Sequence, residues 1–386
     1  MRTPSSADPS SVRQWNERAV VTVLRGAGTV RVAQVAEQVG LSTASTREVL
    51  RGLVAKKWVV PEAQSSGSVG RPASMFRLAD PPVGLLGLDV GGHRVRAMLD
   101  PGSGVARELG EVAIDRGRPG VEATRAALVA LLADVDPEIV WMTGLAVSGA
   151  LDHGDRLARS IAMPDFVGLR PAEALGDVLP GAVLTLHDTK AALWAEVTEG
   201  AATGRRDVLY VHLGRRPSLA LLLAGELYRG AHGSAGELSL NELLPASGGY
   251  DWVGATGEGA GEGDRAPGDV EGRALAAAVA GDPVAVEGAQ RFVMEIVPQV
   301  AFAAGLVDPE LLVLGGALGP VIRPVLGQVR DELGRRLQTP PEVAVGDLDE
   351  YATARGAVHL ARDVLWKRLV QTSGPLPHLE RAALLV

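Results

Sequence analysis

The sequence reads as an α/β protein in two parts: a helix-turn-helix head with two strands behind it, then a larger body of alternating strands and helices. Three observations point there. An apolar helical repeat at Val32, Val35, Ala36 and Val39 is followed by the turn Gly40-Leu41-Ser42 and a second helical pattern from about Thr43 to Ala55, which is helix-turn-helix spacing. From residue 83 onward, strand-like apolar runs alternate with Ala- and Leu-rich helical runs. The charge divides at the same place: residues 1–80 hold eleven Lys and Arg against six Asp and Glu, a net of +5, while the rest carries −13 and the whole chain −8. A basic head on an acidic body suits a head that meets a polyanion. Chance scatter gives the same numbers, so the motif has to carry the argument.

Residues 1–12 are polar and rich in Ser and Pro, and are expected to form a disordered tail. The head spans 13–80. Its first helix starts near Gln14, carries the run Ala19-Val20-Val21-Thr22-Val23-Leu24 and stops at Gly26 and Gly28. Ser42 is placed to cap the later helix of the motif, whose Val49, Leu50 and Leu53 share one side. Trp58-Val59-Val60 and residues 74–78 read as strands joined by a Gly- and Ser-rich loop at 65–70. Pro81-Pro82 makes a short stiff linker to the body, 83–386. Body strands are expected at 83–89, 143–147, 182–186, 208–213 and 311–314, and helices at 121–133, 190–199, 286–304 and 321–337. The Gly-rich acidic stretch 254–272 reads as a flexible loop.

Composition sets limits. At 386 residues the chain exceeds one compact domain, and 46% hydrophobic with 22% charged residues is ordinary globular composition. It has no run of eighteen apolar residues, so neither a membrane span nor a membrane partner is expected. The opening segment lacks the apolar core of a secretory signal, which makes cytoplasmic residence the expectation. Without cysteine, disulfides and thiolate metal ligands are impossible. No metal site or cofactor is expected.

The later helix of the motif divides its residues between packing and contact. Ser42, Thr43, Ser45, Thr46, Arg47 and Arg51 are the candidates for DNA contact, because short hydroxyls fit a major groove and Arg pairs bidentately with guanine. Lys56 and Lys57 are placed to hold phosphates without reading sequence. The strand-loop-strand that follows makes a wing. There Gly70-Arg71-Pro72 holds Arg71 for a phosphate or minor-groove contact. The competing reading is a helical subdomain with a solvated face, and for Arg71 a loop salt bridge.

Leu88-Asp89-Val90-Gly91-Gly92-His93-Arg94 resembles the first phosphate loop of the ROK family of repressors and sugar kinases. Other segments resemble family signatures in the same order: residues 144–149, His187-Asp188-Thr189-Lys190-Ala191-Ala192, residues 228–237, and Asp308-Pro309-Glu310 with Gly315-Gly316. In the head, Gly40-Leu41-Ser42 and Gly70-Arg71-Pro72 match as well. Each is weak alone, but in this order they are specific, and they cover about residues 14–365. The resemblance implies a winged helix-turn-helix domain followed by a two-lobed actin-like, sugar-kinase-like (ribonuclease H-like) body. Lobe 1 would take about 83–190 plus the C-terminal helix, and lobe 2 about 191–365. A cleft would separate them, and the molecules would assemble as homodimers or homotetramers.

Phosphoryl transfer to a sugar needs a positioned base, a phosphate cradle and a metal-bound nucleotide. On the resemblance, Asp188 stands at the catalytic base, Asp89, Gly91 and Gly92 in the first phosphate loop, and Gly149, His187, Asp188 and Glu237 around the ligand. The second phosphate loop departs from the family. Gly214-Arg215-Arg216-Pro217-Ser218 replaces a glycine-rich stretch; its proline lacks a donor and its arginines stand where backbone approaches phosphate. His187 replaces an Asn, Leu240 a His, and the cysteine-rich zinc motif is absent. Asp188 and the first loop are therefore read as vestigial. Helix capping is the plain alternative for Asp188, and a structural ion pair for Glu237.

The expected function is that of a DNA-binding transcriptional regulator, in the first instance a repressor. It would bind double-stranded operator DNA as a homo-oligomer, with a sugar or other small-molecule effector in a catalytically degenerate cleft. Two alternatives stay open: an ATP-dependent sugar kinase with a fused DNA-binding head, and a regulator that answers a protein partner.

Overall fold

The computed structural model describes residues 9–62, 75–79, 83–115, 117–118, 120–214, 216–238, 270–370 and 375–379. Helix α1 (Pro9–Ala27) starts earlier than its apolar pattern indicates, so residues 9–12, expected in the tail, are helical. Pro9 suits a first helical position, where no amide partner is required. After β1 (Val30–Arg31) comes α2 (Val32–Val39). Gly40 ends α2 at φ 75°, its N–H reaching the Glu37 carbonyl at 3.3 Å while Leu41 N–H reaches that of Ala36 at 3.0 Å. This Schellman closure turns the chain sharply into α3 (Thr43–Ala55), where the Ser42 side chain accepts the Ser45 N–H at 3.1 Å. Strands β2 (Val59–Glu62) and β3 (Met75–Leu78) join β1 in an antiparallel sheet of order β1-β3-β2. A two-residue strand such as β1 has no periodicity to read, and only its pairing reveals it.

Two five-stranded sheets build the rest. The first contains β4 (Gly84–Val90), β5 (Arg94–Asp100), β6 (Arg107–Ala113) and, after α4 (Gly120–Leu131), β7 (Val140–Val147). A small hairpin, β8 (Ala150–Leu151) with β9 (Leu157–Arg159), and the short α5 (Pro171–Ala174) precede β10 (Ala182–His187). Its order is β10-β7-β4-β5-β6. Helix α6 (Asp188–Glu199) crosses to the second sheet, which opens with β11 (Val208–His212), β12 (Ser218–Leu223) and β13 (Glu226–Leu227). Then come α7 (Val270–Val279), α8 (Pro283–Val307), β14 (Leu311–Gly315), α9 (Gly319–Ile322), α10 (Leu326–Arg336) and β15 (Glu342–Val345), giving the order β13-β12-β11-β14-β15. The single helix expected at 321–337 is interrupted by a 3₁₀ turn at Arg323–Val325, because Pro324 has no amide hydrogen to continue the ladder. The last helix among the described residues is α11 (Ala352–Val370).

Parallel pairing sets the site. β4, β7 and β10 run the same way, so Val90, Val147 and His187 finish at one edge of the first sheet. β11 and β14 are also parallel, and His212 lies opposite both Gly315 and Ser218 at an edge of the second. Crevices outside the carboxyl ends of parallel strands are where α/β proteins place ligands.

The hydrophobic core does not stop at the head. Val20, Leu24, Leu50, Leu53 and Trp58 form one cluster with Leu85, Trp141, Val358, Leu365 and Leu369, and with Leu376 and Leu379 beyond α11. The rings of Trp58 and Trp366 are 5.7 Å apart, and the Trp58 indole donates to the Pro377 carbonyl at 2.8 Å. Leu379 N–H reaches the Lys56 carbonyl at 3.1 Å, Arg18 the Val370 carbonyl at 2.8 Å, and Arg25 pairs with Asp363. In turn α11 lies hard on the first sheet: a Cβ at Gly87 would stand 2.1 Å from the Ala354 carbonyl oxygen, and one at Gly144 2.4 Å from that of Ala357. The expected linker at Pro81-Pro82, the loop at 65–70 and residues 254–269 of the expected flexible loop lie outside the described residues, while the last residues of that loop, 270–272, are helical and open α7. Among the described residues, no helix is long and apolar enough to cross a membrane.

Candidate functional site

Two regions collect the sequence candidates. On α3, Ser42, Thr43, Ser45, Arg47 and Arg51 are exposed, and Arg47 and Arg51 share a face at i,i+4 spacing. The Ser42 and Ser45 hydroxyls are 2.9 Å apart and partly occupied by capping. Thr46 is not at the surface: it is fully buried, and its hydroxyl donates to the Ser42 carbonyl at 3.0 Å. One helical turn carries both kinds of residue, and a short hydroxyl fits either environment. Lys56 is also reassigned. Its ammonium donates to both oxygens of the buried Glu17, at 2.9 and 2.8 Å, so it neutralises an internal carboxylate. Lys57 is exposed, in a left-handed conformation at φ 64° that ends α3. Arg71, with Gly70 and Pro72, lies outside the described residues.

The second region is a cleft of roughly 240 Å³ between the two sheet edges. Asp89, Gly91, Gly92, Gly149, His187, Asp188 and Glu237 all line it, so the body candidates converge in space. Arg94, Arg96, His212 and Arg216 line it too, a contribution that the sequence reading did not single out for the first three. For Arg96 the strand pairing supplies the missing signal, since it faces Asp89 across β4 and β5.

The electrostatics are those of a crowded, partly dry site. Desolvation first, and then the neighbouring Asp188 carboxylate, push the Asp89 pKa up to about 7 against the pull of Arg96 and Arg94. Arg94 and Arg96 share Glu111, at 3.2 and 2.8 Å. Burial holds the His212 imidazole below its ordinary pKa, and its Nδ1 is buried without a hydrogen-bond partner. The helix-capping reading of Asp188 falls instead to His187, which stands in the N-cap position and accepts the Thr189 N–H through Nδ1. Asp188, the first helical residue, lines the cleft, and its Oδ1 accepts the adjacent Thr189 N–H at 2.6 Å.

His187 and Glu237 bond to each other through Nε2 and Oε1. Because His187 Nδ1 accepts the Thr189 N–H at 3.2 Å, Nε2 carries the hydrogen and donates to the carboxylate. Lys190, absent from the sequence candidates, lies buried behind them and donates to the Ala235 carbonyl at 3.1 Å. Burial lowers its pKa, with Glu237 and Asp188 opposing.

Not every glycine here reports on a ligand. A Cβ at Gly92 would meet the Ala162 carbonyl oxygen at 2.2 Å, and Gly149 combines φ 125° with a Cβ position 2.5 Å from the Arg159 oxygen. Backbone packing therefore demands both glycines whatever the cleft binds. Gly91 has no such neighbour closer than 3.7 Å. In the second loop Pro217 is buried without an amide donor, and Arg215 lies outside the described residues. Asp308 to Glu310 stand at the far end of β14 from the cleft, where Glu310 accepts the Arg206 N–H at 2.6 Å; only Gly316 of that signature reaches the site.

Residues 85–244 match the model of the ROK family. The chain carries a ROK family domain. A bifunctional NanE/NanK enzyme of Brucella melitensis is 30% identical over 303 residues, 73% of this chain and 55% of the enzyme, so the chain spans about half the length of that relative. A glucokinase of Streptomyces coelicolor is 26% identical over 72% of this chain and 97% of its own. Among solved structures, a ROK family transcriptional regulator described as a homologue of the E. coli MLC protein superposes with a TM-score of 0.67 at 19% identity, covering 93% of this chain and 98% of its own. A ROK glucokinase from Streptomyces griseus, in complex with glucose and AMPPNP, gives 0.56 at 21% identity over 72% of this chain and 99% of its own. These likenesses show the α/β sugar-kinase-like ROK fold.

Proposed function

We propose that the chain is a DNA-binding transcriptional regulator whose first six elements form a winged helix-turn-helix, with α3 as the recognition helix. One observation carries the reading: Arg47 and Arg51 project side by side from a capped helix in a basic head, while Leu50 and Leu53 anchor its other side. The extent of the fold likeness supports it, since the regulator structure covers 93% of the chain and the Streptomyces griseus glucokinase 72%. The cleft would sense a sugar or other small metabolite without phosphorylating it, because Pro217 and the arginines beside it spoil a backbone phosphate cradle. The active form would be a homodimer or homotetramer whose heads meet a two-fold operator. Effector binding would favour one arrangement of the heads by differential affinity.

Selection of genomic fragments bound by the full chain tests this. Arg47→Ala is expected to weaken the selected operator by about 1–3 kcal/mol and to relax one base position. Unchanged affinity and base preference would remove α3 from the interface. The second reading, an ATP-dependent sugar kinase with a fused head, is favoured by Asp188 at the cleft and by kinase relatives. Sugar phosphate formed at an enzyme-like rate from ATP, magnesium and a hexose panel would establish it.

A further inference from the structure

Residues 228–237 form a bridge between the two halves of the body. The segment is rooted in the second sheet at both ends, where Tyr228 N–H reaches the Leu221 carbonyl at 2.9 Å and Leu219 N–H the Gly236 carbonyl at 2.8 Å. Several of its contacts go to the first half. Arg229 donates to the Asp152 carbonyl at 3.1 Å and reaches Asp155 at 3.4 Å. His153 Nε2 lies 3.0 Å from the Ala231 oxygen. Gly233, at φ 75°, is flush against β8, since a Cβ there would stand 1.7 Å from the Leu151 oxygen. Lys190 holds the Ala235 carbonyl, and Thr189 Oγ1 meets Ser218 Oγ at 2.5 Å beside it. The end nearest the cleft closes with the His187–Glu237 bond, whose side chains are only 5% and 6% exposed.

At this wall the Glu237 carboxylate is nearly buried, and its Oε1, the atom that His187 faces, already accepts the imidazole N–H, so a neutral polyol reaching for that oxygen meets His187 first. A ligand hydroxyl would have to displace a buried charge-assisted hydrogen bond to gain one of its own. We propose that residues 228–237 are a latch that the chain closes with its own side chains, and that His187 is the residue that shuts neutral sugars out of the cleft. The proposal rests on the reading of the cleft as a ligand site and narrows its effector to a charged sugar derivative or another metabolite that is not a neutral sugar, and its test does not pass through DNA.

Hydrogen exchange read by mass spectrometry on the full chain, with D-glucose as probe, tests both parts. In the wild type, amides of 228–237 are expected to be protected and to stay unchanged by millimolar glucose. His187→Asn shortens the side chain out of reach of Glu237. It is expected to speed exchange in this segment at least about tenfold, and to gain glucose binding by calorimetry at least about tenfold tighter than the wild type. Glucose should then restore the protection. Arg229→Ala, a surface change at the other end of the latch, should speed exchange in the same segment without creating glucose affinity, and it serves if the cleft variant does not fold. A wild-type segment that exchanges freely, or that glucose protects, overturns the proposal. So does an Arg229→Ala protein with unchanged exchange in 228–237. Failure of the wild type to bind any duplex would instead count against the regulator reading and leave the exchange result standing.

Discussion

At the scale of single residues, burial separates side chains that look alike in the sequence. Lys56 and Lys57 are adjacent, yet one is tied to Glu17 and the other is exposed. Lys56→Met should leave the Glu17 carboxylate without its partner and cost about 3 kcal/mol in urea unfolding, with duplex affinity of the folded protein unchanged. A selective loss of affinity at full stability would return Lys56 to the interface. Asp89 gives a pH signature. An unfolded Asp titrates at its ordinary value of 3.8 and the folded one at about 7, so between these the folded state holds a proton that the unfolded state lacks. Stability therefore falls as pH rises through that window, and the loss is complete above it. Asp89→Asn should remove this slope and gain about 2 kcal/mol near neutrality but little near pH 4, measured by urea unfolding at both. Equal effects at the two pH values would show that Asp89 is not desolvated.

At the scale of elements, two helices meet with their backbones in close contact. α6 begins at the cleft with Asp188, and α11 begins there with Ala352 and Thr353. They cross where a Cβ on Gly356 would stand 1.8 Å from the Ala191 carbonyl oxygen. No side chain can yield there, because the obstacle is backbone. Gly356→Ala should force the helices apart and cost about 3 kcal/mol in thermal unfolding. A neutral substitution would mean that the crossing is looser than described. The strands and long helices of the body were legible because apolar runs and 3.6-residue periodicity mark them directly, as for β7, β11 and α8. The break between α9 and α10 was missed although Pro324 announces it, since the apolar pattern continues across it.

At the scale of the whole molecule, head and body are one mechanical unit. Trp58 is fully buried among residues more than 300 positions later in the chain, on α11 and the segment after it. The head should therefore melt with the first half of the body in one cooperative transition, and residues 1–80 alone should not fold. Trp58→Ala is expected to lower the stability of that transition by about 3–5 kcal/mol. A separate, earlier melting of the head, seen by hydrogen exchange across α1 to α3, would refute the shared core. This continuity also gives the cleft a rigid route to the head, because α11 lines the one with its first turn and supports the other with its last.

The sequence alone determined most of the order of elements and the helix-turn-helix spacing, because local periodicity and turn chemistry are written in neighbouring positions, and through its short family-like motifs it pointed to two α/β halves and to part of the cleft lining. Tertiary structure alone decided that Thr46 faces inward, that Lys56 serves Glu17, that His187 spends its hydrogen bond on Glu237, and that the last helix completes the head. Each of these depends on which distant group removes a side chain from water, and distance along the chain carries no record of that.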